Sequence, residues 1–271
     1  MKKVAFQGEP GAYSESAVFQ FFGSQTEAEP CRDFRDVFEH VKTGQTEAGI
    51  VPIENSLEGS INQNYDLFFN YDLKVCGEVI VKIAHCLIVN PGTDINQIKA
   101  VYSHPQALAQ CRSYLEKMKW EIIPTYDTAG SVKIIKEQKL TNAAAIASQR
   151  AAEIHKMQIL NRDIADNKEN FTRFFVLSII DSDPTGKDKT SIIFSAKHEP
   201  GSLYNALGEF AKRKINLTRI ESRPTKKTAW EYNFYLDFEG HRTQPIRAEA
   251  LRALEKYAIF VKILGSYPKA K

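Results

Sequence analysis

Three neighbouring side chains, Thr172, Arg173 and Phe174, carry groups that can act on a small organic acid, and an apolar run (175–177) follows them. A threonine hydroxyl can donate a hydrogen bond to a departing oxygen, and an arginine can hold a carboxylate through two parallel N–H groups. A phenylalanine ring offers an apolar face to a ring-shaped substrate. Together they favour chemistry that needs neither a metal nor a cofactor. The alternative is a strand edge, where Thr suits β geometry and Arg is solvated.

Two further groups of polar side chains follow predicted strands. Glu54, Asn55 and Ser56 come directly after the apolar segment 48–53. Ligands of open α/β sheets bind beyond the carboxyl ends of the strands, so these side chains are candidates for a cleft. Asn can both donate and accept hydrogen bonds there. Taken alone, the group is also consistent with a turn and a capping serine.

Ser103 and His104 follow the predicted strand 100–102, and Gln110 lies one helical turn beyond Gln106 on the same side. His104 precedes a proline at a helix start, where a structural cap is favoured over an acid or base. The loop 8–15 could hold an anion at a helix N-terminus. A tight turn with a cap at that helix explains the same residues.

The elements that must position these groups alternate between strands and helices through the first two thirds of the chain. Apolar spacing predicts helices over Tyr13–Phe22, 34–41, 62–69, 104–118, Thr128–Glu137 and 148–155, with strands over 3–6, 48–53, 75–89, 100–102, 121–123 and 144–146. This order predicts a mainly parallel sheet with helices on both faces. A ligand is then expected at four loops, which follow the first strand and the strands that contain residues 50–53, 101–102 and 122–123.

The last third has a different pattern. A polar stretch with Pro and Gly (181–189) is the best linker candidate. After it come a strand, a helix, two strands, a helix and a strand, over 191–196, 201–212, 215–222, 230–238, 246–257 and 260–264. The order β-α-β-β-α-β is the ferredoxin-like arrangement. A sheet of this size gains by pairing edge to edge with a second copy.

The composition excludes several classes of protein. The net charge is +3 and the basic residues are scattered, which argues against nucleic acid as a partner. No apolar span of membrane length and no signal region are found, so a cytoplasmic protein is expected. Four separated cysteines predict free thiols. Hydrolase, zinc and nucleotide-binding motifs are missing from the sequence.

Five motifs in order give the chain its resemblance to a known family. They are Gly11-Ala12-Tyr13-Ser14, Pro52-Ile53-Glu54-Asn55-Ser56, Ser103-His104-Pro105-Gln106, Asn170-Phe171-Thr172-Arg173-Phe174 and Leu217-Thr218-Arg219-Ile220-Glu221-Ser222-Arg223-Pro224. The chain resembles prephenate dehydratase, and its tail resembles the ACT domain that regulates that enzyme. The resemblance covers essentially the whole chain.

The resemblance implies a hydro-lyase that converts prephenate to phenylpyruvate, water and carbon dioxide in phenylalanine biosynthesis. It implies two α/β lobes around a cleft, similar to periplasmic binding proteins, followed by a ferredoxin-like ACT domain. Thr172 is the implied catalytic acid, with Glu54, Asn55 and Gln110 as further catalytic residues. The substrate-binding residues expected beside them are Tyr13, Ser56, Ser103, Arg173 and Phe174. Arg173 is the candidate for holding the pyruvyl carboxylate.

The resemblance also implies feedback inhibition by L-phenylalanine at paired ACT domains, in a dimer or tetramer. The residues expected to bind phenylalanine are Gly201, Leu203, Asn216, Leu217, Thr218, Glu221, Ser222 and Arg223. The expected domains are 1–181 (catalytic), 182–189 (linker) and 190–271 (regulatory). Arogenate dehydratase, with the same chemistry on the transaminated substrate, is the nearest alternative. A non-catalytic amino-acid sensor is the alternative from another class.

Overall fold

Several helices begin where the sequence supplies a side-chain cap. Asp33 accepts a hydrogen bond from the Asp36 amide at 3.0 Å, and Asp127 accepts one from the Gly130 amide at 2.9 Å. Such caps satisfy amides that have no partner within the helix. The computed structural model of the chain describes residues 2–225 and 231–270. Trp230, the first residue of the strand predicted over 230–238, lies outside the described residues.

The chain forms its secondary structure in a regular alternation. The first elements are β1 (Lys3–Gln7), α1 (Tyr13–Phe22), β2 (Glu27–Cys31), α2 (Phe34–Lys42), β3 (Ala48–Asn55), β4 (Gly59–Ser60), α3 (Asn62–Asn70) and β5 (Lys74–Lys82). Next come β6 (Cys86–Val89), a 3-10 turn (Ile95–Gln97), β7 (Ala100–Ser103), α4 (Pro105–Gln110), α5 (Arg112–Met118), β8 (Glu121–Pro124), α6 (Thr128–Glu137), β9 (Ala143–Ala147), α7 (Gln149–His155), β10 (Gln158–Asn161) and β11 (Phe171–Ser178). The last are β12 (Asp188–Ala196), α8 (Ser202–Ala211), β13 (Leu217–Pro224), β14 (Tyr232–Glu239), α9 (Pro245–Leu254) and β15 (Ala258–Pro268).

The described strands form three sheets. The first has the order β2-β1-β3-β11-β5 with β4 added to β3, and the second has the order β10-β6-β9-β7-β8. Both are mixed: β1 runs parallel to β2 and β3, whereas β6 runs antiparallel to β9 and β10. The expected α/β fold class is therefore confirmed, but the sheets are less parallel than the alternation predicts. The strand segment predicted over 75–89 is two strands, β5 and β6, in different sheets.

The third sheet is antiparallel, with the order β13-β14-β12-β15. Helices α8 and α9 pack on it through an aromatic and aliphatic core that includes Phe194, Phe210, Phe238 and Leu254. Burying each such side chain contributes about 1.5–3 kcal/mol. The predicted β-α-β-β-α-β arrangement of the last third is confirmed. Strand β12 begins at Asp188, so the last two residues of the predicted linker are buried strand residues.

Two compact units divide the chain, and each contains two segments. One consists of Met1–Asn64 and Val79–Phe174, and the other of Tyr65–Glu78 and Phe175–Lys271. The chain therefore crosses from one unit to the other within α3, β5 and β11. The boundaries of the catalytic domain (1–181) and of the regulatory domain (190–271) stay a prediction.

Two lysines, one buried and one half-buried, tie the segment 65–78 into the second unit. Lys189 lies 2.9 Å from the Glu78 carboxylate, whose side chain is fully buried. Lys262 donates to the carbonyl oxygens of Phe68, Phe69 and Tyr71 at 2.9, 3.2 and 2.7 Å. These carbonyls come from the C-terminal end of α3 and the residue beyond it, where a cation is favourable.

The helix predicted over 104–118 is broken. Cys111 adopts φ −112° and ψ 21°, which ends α4 and starts α5. The carbonyl of Gln110 accepts a hydrogen bond from the Asp166 amide at 2.8 Å instead of continuing the helix. The break therefore leaves Gln110 at the C-terminal end of a short helix.

Candidate active site

A cavity of about 430 Å³ lies in the first unit, at the carboxyl ends of strands from both of its sheets. The loops after β1, β7 and β8 and the last residue of β3 contribute to its wall, close to where the alternation of strands and helices predicts a ligand. Its lining residues are Gln7, Ala12, Tyr13, Ser14, Arg32, Asp33, Phe34, Pro52, Asn55, Ile61, Gln63, Ile83, His85, His104, Gln106, Ala107, Gln110, Tyr126, Asp127, Thr128, Thr172 and Phe174. Five of the predicted site residues are among them: Tyr13, Asn55, Gln110, Thr172 and Phe174.

Thr172 and Phe174 face the cavity from the start of β11, and Asn55 reaches it from the end of β3. The Asn55 Nδ2 group lies 3.0 Å from Thr172 Oγ1 and 2.7 Å from Asn170 Oδ1. Asn55 Oδ1 accepts the backbone amides that follow it, those of residues 57 and 58, at 2.9 and 3.0 Å. These two amides fix the orientation of the carboxamide, so Asn55 presents N–H groups to Thr172. The Thr172 oxygen is an acceptor in this contact, which leaves its own hydrogen to be donated elsewhere.

A chain of hydrogen bonds continues from Asn55 across the cavity wall. Asn170 Nδ2 donates to Gln110 Oε1 at 3.0 Å, and the same oxygen lies 3.0 Å from His85 Nε2. His85 Nδ1 lies 3.0 Å from the Tyr13 hydroxyl. Five side chains beyond Thr172 are thus connected through direct contacts.

Burial sets the charge state of His85 and Tyr13, the last two side chains in this series of hydrogen bonds. It lowers the pKa of His85 below its usual range, against the opposing effects of the Gln110 hydrogen bond and the Asp163 charge. Burial also raises the pKa of Tyr13 well above its usual range. Both side chains are therefore neutral near pH 7.

Arg173 does not line the cavity. Side chains alternate along a strand, so Arg173 points to the face opposite to Thr172 and Phe174. Its guanidinium is buried and lies 3.3 Å from the Glu54 carboxylate, which likewise alternates away from Asn55. The structure thus brings Arg173 and Glu54 together as an ion pair. This arrangement does not support the expectation that Arg173 holds a substrate carboxylate, nor a direct catalytic part for Glu54.

Two predicted serines also lie outside the cavity wall. Ser103 is fully buried and donates to the Ile146 carbonyl at 2.6 Å, across the neighbouring strand β9. Ser56 donates to the Glu169 carbonyl at 3.0 Å and accepts from the Phe171 amide at 2.9 Å. Ser103 holds the sheet, and Ser56 holds the segment that leads into Thr172. Neither geometry supports substrate binding by the serine.

One long helix presents an uncapped N-terminus to the cavity. Helix α1 begins after Ala12, which has no side chain that caps it, and Ala12, Tyr13 and Ser14 all line the cavity. Helices α2 and α6 also begin there, but Asp33 and Asp127 cap them. Free N–H groups and the helix dipole favour an anion at an uncapped N-terminus.

Three residues that matter to this geometry were not among the predicted site residues. Asn170 and His85 link Asn55 to Gln110 and Tyr13, and Asp127 adds a carboxyl group whose pKa is raised by burial. Asn170 was visible only as part of a motif. His85 lies at the end of the segment that joins the two sheets of the first unit. This position was the only indication in the sequence that His85 could belong to the site.

The predicted phenylalanine-binding residues fall into two groups. Gly201 and Leu203 line a cavity of about 570 Å³ in the second unit. Leu217, Thr218, Glu221, Ser222 and Arg223 lie on strand β13, Asn216 precedes it, and none of the six is among that cavity's lining residues. The two groups are therefore not brought together in one cavity of the described chain.

Strand β13 instead contacts α3 within the second unit. The Arg219 guanidinium stacks on the Tyr65 ring at 4.4 Å, and Arg223 lies 3.1 Å from the Asp66 carboxylate. Tyr235 of β14 donates to the Tyr65 carbonyl at 3.0 Å. Helix α3 is the element that also carries the cavity-lining residue Gln63.

Over residues 2–225 and 231–270, no cluster of three or more His, Cys, Asp or Glu side chains could hold a metal ion. Within the same ranges, no helix has the length and apolar character needed to span a membrane. The four cysteines are free thiols.

Two family models match the chain. The model described as prephenate dehydratase matches residues 4–181, and the model described as ACT domain matches residues 190–256. A bifunctional chorismate mutase/prephenate dehydratase of Aquifex aeolicus is 44% identical, over 99% of this chain and 74% of its own length. The prephenate dehydratase of Methanocaldococcus jannaschii is 42% identical over 98% of each chain. An arogenate dehydratase/prephenate dehydratase of Arabidopsis thaliana, described as chloroplastic, is 44% identical over 98% of this chain and 72% of its own length.

Two solved structures are similar over nearly the whole chain. Prephenate dehydratase from Arthrobacter aurescens in complex with L-Phe has a TM-score of 0.90 and 32% identity, covering 98% of this chain and 90% of that one. GqqA, described as a novel type of quorum quenching acylase, has a TM-score of 0.91 and 32% identity, covering 98% of each chain.

Proposed function

The chain belongs to the prephenate dehydratase family of hydro-lyases and carries an ACT domain, and we propose that Thr172 assists the loss of the ring hydroxyl of prephenate. Prephenate loses its ring carboxylate as carbon dioxide, and the electron pair of the broken carbon–carbon bond enters the ring. The hydroxyl leaves from the ring carbon that lies across the ring and takes up one proton to become water. The product, phenylpyruvate, is aromatic, so the driving force lies in the substrate.

The observation that carries this proposal is the state of the Thr172 hydroxyl in the cavity. Its oxygen accepts from Asn55 at 3.0 Å, so its hydrogen is available to the departing oxygen. Hydroxide is a poor leaving group in an apolar cleft, and a donor placed on it lowers the barrier. A threonine hydroxyl is a very weak acid, so hydrogen bonding is the larger part of its role. The proton that completes water comes from solvent.

The two carboxylates of prephenate need opposite treatment. The ring carboxylate becomes carbon dioxide, and a salt bridge to it would oppose the reaction. Phe174 offers it an apolar wall. The pyruvyl carboxylate must be held, and the uncapped N-terminus of α1 replaces Arg173 as our candidate, because Arg173 pairs with Glu54.

We further propose that L-phenylalanine inhibits the enzyme through the ACT domain. The complex of the Arthrobacter relative with L-Phe supports phenylalanine as the ligand. The contacts of β13 with α3 offer a route, since α3 also carries Gln63 in the cavity wall. Inhibition requires that phenylalanine and prephenate favour different states of the protein. Self-association as a dimer or tetramer, through the edge of the third sheet, is part of the same proposal. A cytoplasmic location stays a prediction.

The alternative substrate is arogenate, which carries an ammonium group in place of the keto oxygen.

An amide-cleaving activity like that in the description of GqqA finds less support. Such an enzyme needs a nucleophile activated by a base, whereas Thr172 receives a hydrogen bond from Asn55, which is a donor.

One assay tests the proposal. Purified protein is given prephenate or arogenate, the aromatic product is followed, and each reaction is repeated with phenylalanine. We expect turnover of prephenate that phenylalanine slows. Faster turnover of arogenate would reassign the substrate, and turnover of neither would leave a non-catalytic sensor.

A further inference from the structure

His85 lies at the far end of the hydrogen-bond chain and is almost completely buried. Its two ring nitrogens are both engaged, Nε2 with Gln110 Oε1 and Nδ1 with the Tyr13 hydroxyl, each at 3.0 Å. The Tyr13 ring also packs edge-on against the imidazole, with centroids 5.6 Å apart. Although His85 is part of the cavity wall, neither nitrogen is available as an acid or base for a substrate.

The direction of each hydrogen bond from Asn55 to His85 follows from two backbone amides. Amides of residues 57 and 58 must donate to Asn55 Oδ1, so Asn55 Nδ2 faces Asn170 and Thr172. Asn170 must then present Oδ1 to Asn55 and Nδ2 to Gln110. Gln110 consequently presents Oε1 to His85, and an oxygen acceptor there requires a hydrogen on His85 Nε2.

The contact with Gln110 selects one tautomer of His85. Burial keeps the imidazole neutral, so it carries a single hydrogen. With that hydrogen on Nε2, Nδ1 is an acceptor for the Tyr13 hydroxyl, whose one hydrogen is shared with the Ala84 carbonyl oxygen at 2.9 Å. The titratable groups around the pair are Asp163, which follows β10, and the thiols of Cys86 and Cys111. Burial raises the pKa of both thiols, so they are neutral too.

We propose that His85 is a positioning residue for the dehydration: its Nε2–H group holds the Gln110 carboxamide, and through Asn170 and Asn55 this holds Thr172 as a donor. Tyr13 contacts Nδ1 in the same chain and supports the tautomer that Gln110 selects. The inference rests on the proposed role of Thr172.

A matched pair of amide substitutions tests the role of His85. In His85→Gln the amide nitrogen can occupy the position of Nε2 and donate to Gln110. In His85→Asn the shorter amide occupies the position of Nδ1 and does not reach Gln110. We expect kcat for prephenate to fall about 10–100-fold in His85→Asn, with KM little changed, and to stay near the wild-type value in His85→Gln. Equal kcat values in the two variants would overturn the proposal.

A double-mutant cycle with Tyr13→Phe provides a second test, which also decides the matter if His85→Asn does not fold. Tyr13→Phe should lower kcat in the wild-type background, where it frees the imidazole to change tautomer. It should cost less in the His85→Gln background, because glutamine has no tautomers, whereas the contact with the Ala84 carbonyl is lost in both backgrounds. An equal loss in both backgrounds would mean that Tyr13 acts by touching the substrate, and would contradict the proposal.

Thr172→Ala in the same panel separates this inference from the proposed function. If Thr172→Ala keeps wild-type kcat, the proposed role of Thr172 fails. If Thr172→Ala loses activity while His85→Asn does not, only the positioning role of His85 is wrong. Thermal unfolding of each variant shows whether a loss of activity comes from a loss of fold.

Discussion

At the scale of single residues, Asn55 uses both ends of its side chain at once. Its oxygen accepts two backbone amides, and its nitrogen donates to Asn170 and Thr172. A carboxamide held in this way cannot flip without leaving buried polar groups unpaired, at a cost of roughly 1–3 kcal/mol each. Asn55 therefore determines that Thr172 accepts from the protein and donates to the substrate.

The variant Asn55→Asp tests this division of roles. Aspartate has the same shape and still accepts both backbone amides, but its second oxygen faces Thr172 as an acceptor. The threonine hydroxyl would then donate to the protein instead of the substrate. We expect kcat with prephenate to fall by about 100-fold or more, the range for loss of a positioned donor. Wild-type kcat in this variant, measured beside a thermal unfolding control, would mean that Asn55 does not set the direction of the Thr172 hydrogen bond.

The residue types in the sequence predicted part of this site. The alternation of side chains along a strand explains why another part was not predicted. Thr172, Phe174 and Asn55 were named and all line the cavity. Arg173 was expected beside Thr172, yet neighbours on a strand point to opposite faces. The alternation along β11 was the available signal. His85 and Asn170 meet through Gln110 from distant parts of the chain, and no local pattern encodes such contacts.

At the scale of elements, helix α3 is divided between the two units after Asn64. Within the second unit, Arg219 stacks on the Tyr65 ring at 4.4 Å, and such a cation–π contact contributes about 0.5–2 kcal/mol. Gln63 lies on the same helix and lines the cavity of the first unit. We propose that a shift of β13 on binding phenylalanine acts on the substrate along α3.

The variant Arg219→Ala is expected to weaken feedback without removing either ligand site. Arg219 lines neither cavity, so phenylalanine should still bind, measured by calorimetry. Its inhibition of prephenate turnover should fall severalfold, because coupling free energies are typically about 1–3 kcal/mol. Ile220→Ala, on the opposite, exposed face of β13, would serve as a control for substitution on that strand. Full inhibition by phenylalanine in Arg219→Ala would mean that the signal takes another route.

The sequence predicted most elements because their local signals were strong. Capping aspartates and apolar spacing fixed α2 and α6, and both begin at the predicted residue. Strands β2 and β10 were missed, since they are short and lack a buried apolar run. The break between α4 and α5 was missed as well. It depends on a hydrogen bond between the Gln110 carbonyl and the Asp166 amide, which only the tertiary structure supplies.

At the scale of the whole molecule, each of the two compact units is built from two separate segments of the chain. Segment Tyr65–Glu78 lies within the expected catalytic domain 1–181 and belongs to the second compact unit. Glu78 pairs with Lys189, and Lys262 binds carbonyls at the end of α3. A sequence boundary near residue 181 cannot reveal this, because the contacts join residues that lie more than a hundred positions apart.

Deletion of residues 190–271 is therefore expected to do more than remove inhibition. It keeps Glu78 and Lys189 but takes away Lys262 and the strands β14 and β15 that pair with β12, so the buried ion pair would be exposed to water. The apolar core of the third sheet would be lost with them. We expect the truncated chain to show a strongly lowered melting temperature or to be insoluble. A truncated chain with wild-type kcat and thermal stability would contradict this view of the second unit.

The most direct test of Thr172 as the donor to the departing hydroxyl is the kcat of Thr172→Val with prephenate, compared with Thr172→Ser. Valine keeps the shape and removes the hydroxyl, whereas serine keeps the hydroxyl. We expect kcat to fall about 100-fold or more in Thr172→Val, with substrate affinity little changed, and to be largely retained in Thr172→Ser. Wild-type kcat in Thr172→Val would contradict the proposed role of Thr172.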